Sequence, residues 1–155
     1  MFVISTPGKK ADNDVIRPEL AEMYKRYSYI RDENRPDVVA KRAKTNQRTA
    51  RANVEDLCDP GSFVEYGALA IAAQRGRRSE DDLRARTPAD GIITGIGSIN
   101  GTQFGPDKSR CVVMAYDYSV LAGTQGYFNH HKKDRMLRIA HEEGLPLILF
   151  AEGGG

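Results

Sequence analysis

The chain has 155 residues, enough for one domain, and its 40% hydrophobic and 28% charged residues match ordinary soluble globular proteins. A net charge of +2 sets no global demand for nucleic acid, and no apolar run approaches the roughly 18 residues of a membrane-spanning helix. Cys58 and Cys111 lie far apart without Cys-x-x-Cys spacing, so they read as reduced thiols of a cytoplasmic protein rather than a disulfide framework or zinc site.

Residues 5–17 are polar and loop-like. Leu20, Met23, Tyr24, Tyr27 and Ile30 then recur at helical steps, with Pro18 suited to the first turn. Pro36 restarts the chain, and Val38, Val39, Ala43, Ala50, Val54 and Leu57 carry a second helical stripe that Asp59-Pro60-Gly61 ends. Lys41, Arg42, Lys44, Arg48 and Arg51 make this second helix basic, but no aromatics interleave them, which favours a solvated face or a subunit contact over a nucleic-acid surface. Phe63 to Tyr66 alternates as a short strand, and the charged residues 74–87 read as a surface loop. Ile92 to Ile99 is a strand, Asn100-Gly101 a hairpin signal, and Cys111 to Tyr116 the partner strand after a loop with Gly105-Pro106-Asp107.

The turn Gly123-Thr124-Gln125-Gly126 leads into a helix from about His130 to Glu143, with Met136, Leu137, Ile139 and Ala140 on its apolar side and Gly144 at its stop. Leu145 to Ala151 is an apolar run of the kind buried strands show, followed by Glu152-Gly153-Gly154-Gly155. A buried strand with no covering element after it predicts a truncated domain; a flexible tail is the alternative. Strands and helices alternate, so the fold class is α/β.

Side-chain chemistry is sparse. Gly95-Ile96-Gly97 lacks the third glycine and the following helix of a dinucleotide site. His130 and His131 point about 100° apart on one helix, a poor arrangement for one metal, and His141 stands alone. What remains is backbone chemistry: a glycine run after a buried strand can aim successive N–H groups at one point, as an oxyanion hole requires. Spacing alone leaves Gly153 to Gly155 only weakly specific for that role.

Six blocks in fixed order resemble the carboxyltransferase family of acetyl-, propionyl- and methylcrotonyl-CoA carboxylases. They are Asp59 to Leu69, Thr87-Pro88-Ala89-Asp90-Gly91, Thr94 to Gly97 with Asn100-Gly101, Tyr118 to Gly126, Lys132, and Leu145-Pro146 through Gly155. The resemblance covers residues 48–155, a truncated acyl-CoA-binding domain, and leaves 1–47 as a variable helical segment. It implies a crotonase-like ββα spiral, N-terminal portion only, preceded by two helices. It also implies transfer of a carboxyl group from carboxybiotin to the α-carbon of an acyl-CoA, with the biotin ureido nitrogen as base. The backbone N–H groups of Gly154 and Gly155 would hold the thioester enolate, Ala89, Asp90 and Gly91 would lie near CoA, and Lys132 would meet its phosphates. A plain turn at Asp90-Gly91 and a solvated Lys132 are the alternatives.

Biotin would be carried elsewhere, the partners would be biotin carboxyl carrier and biotin carboxylase components, and the full-length assembly would be a hexamer. The residues imply no metal, no nucleic acid and no membrane partner. Gly105 to Lys108 lengthen the hairpin beyond the family's tight turn, which leaves the strand register open. The fragment alone is expected to be inactive, and a non-catalytic CoA- or subunit-binding module is the rival reading.

Overall fold

The computed structural model describes residues 16–153; the polar stretch expected before residue 16 lies outside them. Its centre is a four-stranded sheet in the order β1-β2-β3-β4. β1 (Val64–Glu65) and β3 (Arg110–Tyr116) flank β2 (Ile92–Ser98) as antiparallel neighbours, and β4 (Leu147–Phe150) joins β3 in parallel. A parallel neighbour needs a crossover, and here the helix α7 (Tyr127–Glu142) supplies it. β3 is buried from Cys111 to Tyr116, which explains its unbroken apolar sequence.

The period of two along the strands sorts the core into two layers. Ile92, Val112, Met114 and Tyr116 pack against Met136 and Ala140 of α7. Ile93, Cys111, Val113 and Ala115 pack on the opposite face against Ala50, Val54 and Cys58, from helix α3 (Ala50–Leu57) and its C-terminal end. Before these, α1 (Pro18–Ser28) and α2 (Pro36–Lys44) each begin on the proline that the sequence offers.

Several expectations need correction. The single stripe over 38–57 is two helices, α2 and α3, parted at Asn46 with φ of 55°. Thr49 restarts the helix by accepting a hydrogen bond from the Ala52 amide at 3.0 Å. The stretch 74–87 is not merely a loop, because α4 (Glu80–Arg86) lies within it, capped by Ser79 and anchored by a fully buried Leu83. Its charges pair along the helix, Arg84 with Glu80 and Arg86 with Asp82, both at 2.6 Å.

Asn100 takes the left-handed conformation that the hairpin signal requires, with φ of 55°. The chain then enters two single-turn helices, α5 (Gly101–Phe104) and α6 (Pro106–Ser109), rather than a tight turn. The Asp59 carboxylate accepts from the amides of Asn100 and Gly101 at 3.0 and 2.7 Å and holds this corner. The register survives the insertion, running without a break from Ile92↔Tyr116 to Ser98↔Arg110. β4 is half-buried rather than buried: it pairs on one side only, and Leu149 is 40% exposed.

Candidate functional site

The antiparallel and parallel pairings bring the start of β2, the ends of β3 and β4, and the start of α7 to one end of the sheet. In α/β folds that end, beyond the carboxyl ends of parallel strands, is where ligands bind. Two short turns of unusual hand build it. Ala89, Asp90 and Gly91 have φ of 54°, 49° and 74°, and Leu121, Ala122 and Gly123 have φ of 49°, 55° and 72°. Only glycine takes this conformation freely, and each other residue costs roughly 1–2 kcal/mol.

The first turn is held from three sides. The Asp117 amide donates to Gly91 O at 2.9 Å. The Asp90 carboxylate accepts from the Asn129 amide at 2.8 Å, and the Asn129 side chain returns a bond to Asp90 O at 3.1 Å. Asp90 thereby caps α7, whose own N-cap, Gly126, has no side chain to do so. This displaced cap also explains why the helix begins at Tyr127, ahead of the expected His130. Burial pushes the Asp90 carboxyl above its usual range, and the Asn129 amide, the Lys132 cation and the Phe128 amide pull it partly back.

Lys132 completes the turn. Its Nζ donates to Ala89 O at 2.8 Å and to Ile92 O, while its stem runs so close to Gly67 that a Cβ there would lie 3.1 Å from Cδ and Cε. Burial lowers its pKa from 10.5 to about 8, with Glu65 and Asp90 opposing the drop and Arg51 adding to it. Glu65 in turn accepts from both Arg51 terminal nitrogens, at 3.1 and 3.3 Å. Arg51, Glu65, Lys132 and Asp90 thus alternate in sign around the turn, which limits the cost of burying each.

The structure gathers Ala89, Asp90, Gly91 and Lys132 around one turn. Ala89 and Asp90 are 3% and 2% exposed, and the Lys132 ammonium sits under the turn, donating to two backbone carbonyls. The lysine is therefore not the freely solvated helix residue of the alternative reading.

The second turn belongs to a loop, residues 117–126, that joins this cluster to the chain's last described residues. A Cβ on Gly91 would lie 3.2 Å from Val120, and one on Gly126 would lie 2.9 Å from both Asp90 carboxylate oxygens. At the far side Gly123 meets the strand exit, where an added Cβ would fall 2.3 Å from Glu152 O and 2.7 Å from Gly153 Cα. This contact is backbone on backbone, and it sets where the glycine run leaves β4. Gly154 and Gly155 lie outside the described residues.

Sequence reasoning missed Arg42 and Asn129. Arg42, assigned to a basic helix face, is instead 9% exposed and pairs through both terminal nitrogens with Glu152 at 2.6 and 2.7 Å. Asn129 is fully buried, and nothing in its immediate sequence marks it. Cys58 and Cys111 are both buried, and burial raises both thiols, so neither is poised as a nucleophile. Among the described residues, no helix is long and apolar enough to cross a membrane, and no group of three His, Cys, Asp or Glu is placed to hold a metal ion.

Against known proteins, the model of the carboxyl transferase domain matches residues 41–155. The chain belongs to this family. It is 33% identical over 137 residues to the biotin-dependent long chain acyl-coenzyme A carboxylase beta4 subunit of Mycobacterium tuberculosis, a match covering 88% of the chain and 23% of that subunit. It is 29% identical over 150 residues to the propionyl-CoA carboxylase beta chain of Saccharopolyspora erythraea, covering 96% and 26% respectively. Among solved structures, a single-chain, multi-domain long-chain acyl-CoA carboxylase superposes with a TM-score of 0.87 at 57% identity, over 91% of the chain and 14% of that protein.

The transcarboxylase 12S subunit, solved as a hexamer assembly, superposes with a TM-score of 0.71 at 25% identity, over 95% of the chain and 26% of the subunit. These matches carry the crotonase-like fold that the sequence blocks implied. The chain spans about a quarter of the length of the curated relatives that it matches.

Proposed function

We propose that these residues form the acyl-CoA side of a biotin-dependent carboxyltransferase. The observation that carries the reading is the loop 117–126, which packs against both the Ala89–Gly91 turn and the Glu152–Gly153 exit. It thereby couples the expected CoA wall to the expected oxyanion donors. In this reading the CoA moiety packs over the turn of Ala89, Asp90 and Gly91, which Lys132 supports from beneath. Backbone N–H groups of Gly154 and Gly155 hold the negative charge that develops on the thioester oxygen when the α-proton leaves. Donors fixed before the reaction need no reorganisation, and losing one elsewhere costs about 2.7–4 kcal/mol.

The two clefts beside Ala89 have volumes of about 10 Å³ each, room for roughly one water. Transfer requires the further length that the relatives possess, a carboxylated biotin carrier with its biotin carboxylase, and assembly of subunits, for which the transcarboxylase hexamer is the precedent.

The test is carboxyl transfer by the complete enzyme that carries these residues. Carboxylated biotin carrier is supplied with a series of acyl-CoAs, and acid-stable carboxyl incorporation is counted. CoA-dependent product is expected; its absence with every acyl-CoA tried would overturn the reading. Acyl-CoA binding without product would instead favour a non-catalytic CoA-binding module.

A further inference from the structure

Arg42 sits near the end of α2, outside the sheet and 110 residues from Glu152 in sequence, yet both its terminal nitrogens reach the strand exit. Its two terminal nitrogens donate to the two Glu152 carboxylate oxygens at 2.6 and 2.7 Å. One of them also reaches Gln47 Oε1 at 3.1 Å, and Nε donates to Arg48 O at 2.8 Å. The guanidinium lies 5.9 Å from the centre of the Tyr118 ring, on the loop that contacts Gly153. Fork-on-fork pairing of this kind fixes orientation as well as distance, which a lysine cannot do.

We propose that Arg42 is a positioning residue for carboxyl transfer: its pair with Glu152 fixes the chain where it enters the glycine run and neutralises the carboxylate there. This rests on the carboxyltransferase reading above. Two effects follow from the geometry. Glu152 immediately precedes Gly153, and its carbonyl lies against Gly123, so a Glu152 side chain released from Arg42 frees the backbone from which the oxyanion donors extend. A released carboxylate would also place a negative charge beside a site meant to stabilise one. Both effects act on the transition state more than on bound acyl-CoA, so they reduce kcat and spare KM.

The test uses Arg42→Met, Arg42→Lys, Glu152→Gln and the double variant Arg42→Met/Glu152→Gln in the complete enzyme. Misplacement of reacting groups by about 1 Å can cost on the order of 100-fold. The expected result is a fall in kcat of roughly tenfold to 100-fold for Arg42→Met, with KM for acyl-CoA changed by less than about twofold. Arg42→Lys should fall in between, and the double variant should be no slower than Arg42→Met, since the pair acts as one unit. In parallel, hydrogen exchange on the 155-residue chain should show faster amide exchange over residues 150–153 in Arg42→Met.

Unchanged kcat in both Arg42 variants, a rise in KM with kcat intact, or additive losses in the double variant would each overturn the proposal. Should Arg42→Met fail to fold, Arg42→Lys and Glu152→Gln decide the matter by the same split. A wild-type enzyme without carboxyl transfer would instead refute the underlying function, and the exchange measurement would still judge the clamp.

Discussion

Lys132 offers the sharpest physical test, because its titration is displaced into an accessible range. Burial beneath the Ala89–Gly91 turn lowers its pKa from 10.5 to about 8, against the pull of Glu65 and Asp90. The folded pKa lies below the unfolded one, so the stability linked to this lysine is fully present above pH 10.5 and is lost as pH falls towards and through 8. At roughly 1.4 kcal/mol per tenfold change, the full drop corresponds to about 3 kcal/mol, most of which develops between pH 8 and 10. Lys132→Met removes the titrating group while roughly preserving the stem that packs on Gly67.

Urea unfolding of both proteins at pH 7, 8, 9 and 10 isolates the effect, because all other groups appear in both curves. The stability difference should shift in favour of the wild type by roughly 2–3 kcal/mol between pH 7 and pH 10. Parallel curves, agreeing within about 0.5 kcal/mol across the series, would mean that the ammonium is hydrated and that the buried geometry is wrong.

Other substitutions probe the same architecture. Gly126→Ala should cost about 1–3 kcal/mol by overpacking, since the new Cβ would press at 2.9 Å on both Asp90 oxygens and disturb the α7 cap; circular dichroism and thermal melting would register it. Gly123→Ala, at φ of 72° and 2.3 Å from Glu152 O, should lower kcat of the complete enzyme on the order of 100-fold, and near-wild-type turnover would contradict the loop's role. Leu83→Ala should cost roughly 2–5 kcal/mol in urea unfolding, since the side chain is fully buried; a loss below about 1 kcal/mol would return 80–86 to the status of a surface loop.

The sheet was largely legible because its strands are apolar runs: Ile92 to Ile99 and Cys111 to Tyr116 announce themselves, and their pairing follows from adjacency. The helix α4 was not legible, since one buried Leu83 among six charged and small residues gives no periodicity, and only the cap at Ser79 marks its start. The merged stripe over 38–57 failed because two successive helices can share an apolar rhythm, and the break rests on Asn46 and Thr49. Ala89, Asp90, Gly91 and Lys132 were singled out by their order in the chain, and no local signal foretells that they contact one another. That Asp90 caps a helix 37 residues later, and that Arg42 reaches across 110 residues to Glu152, are facts of tertiary placement. No window of sequence contains both partners.

The two left-handed turns also bear on when the site exists. Ala89, Asp90, Leu121 and Ala122 would each relax to the right-handed region in a free chain, and together they oppose folding by roughly 4–8 kcal/mol. Short-range bonds such as Gly123 N–H to Val120 O at 2.9 Å close the turns locally, and long-range restraint comes from α7, Lys132 and the Gly123 contact with the strand exit. The hairpin of β2 and β3 needs none of these partners and is free to form early. This end of the sheet is therefore expected to order only once the crossover has docked, and hydrogen exchange there should rise first when that docking is weakened.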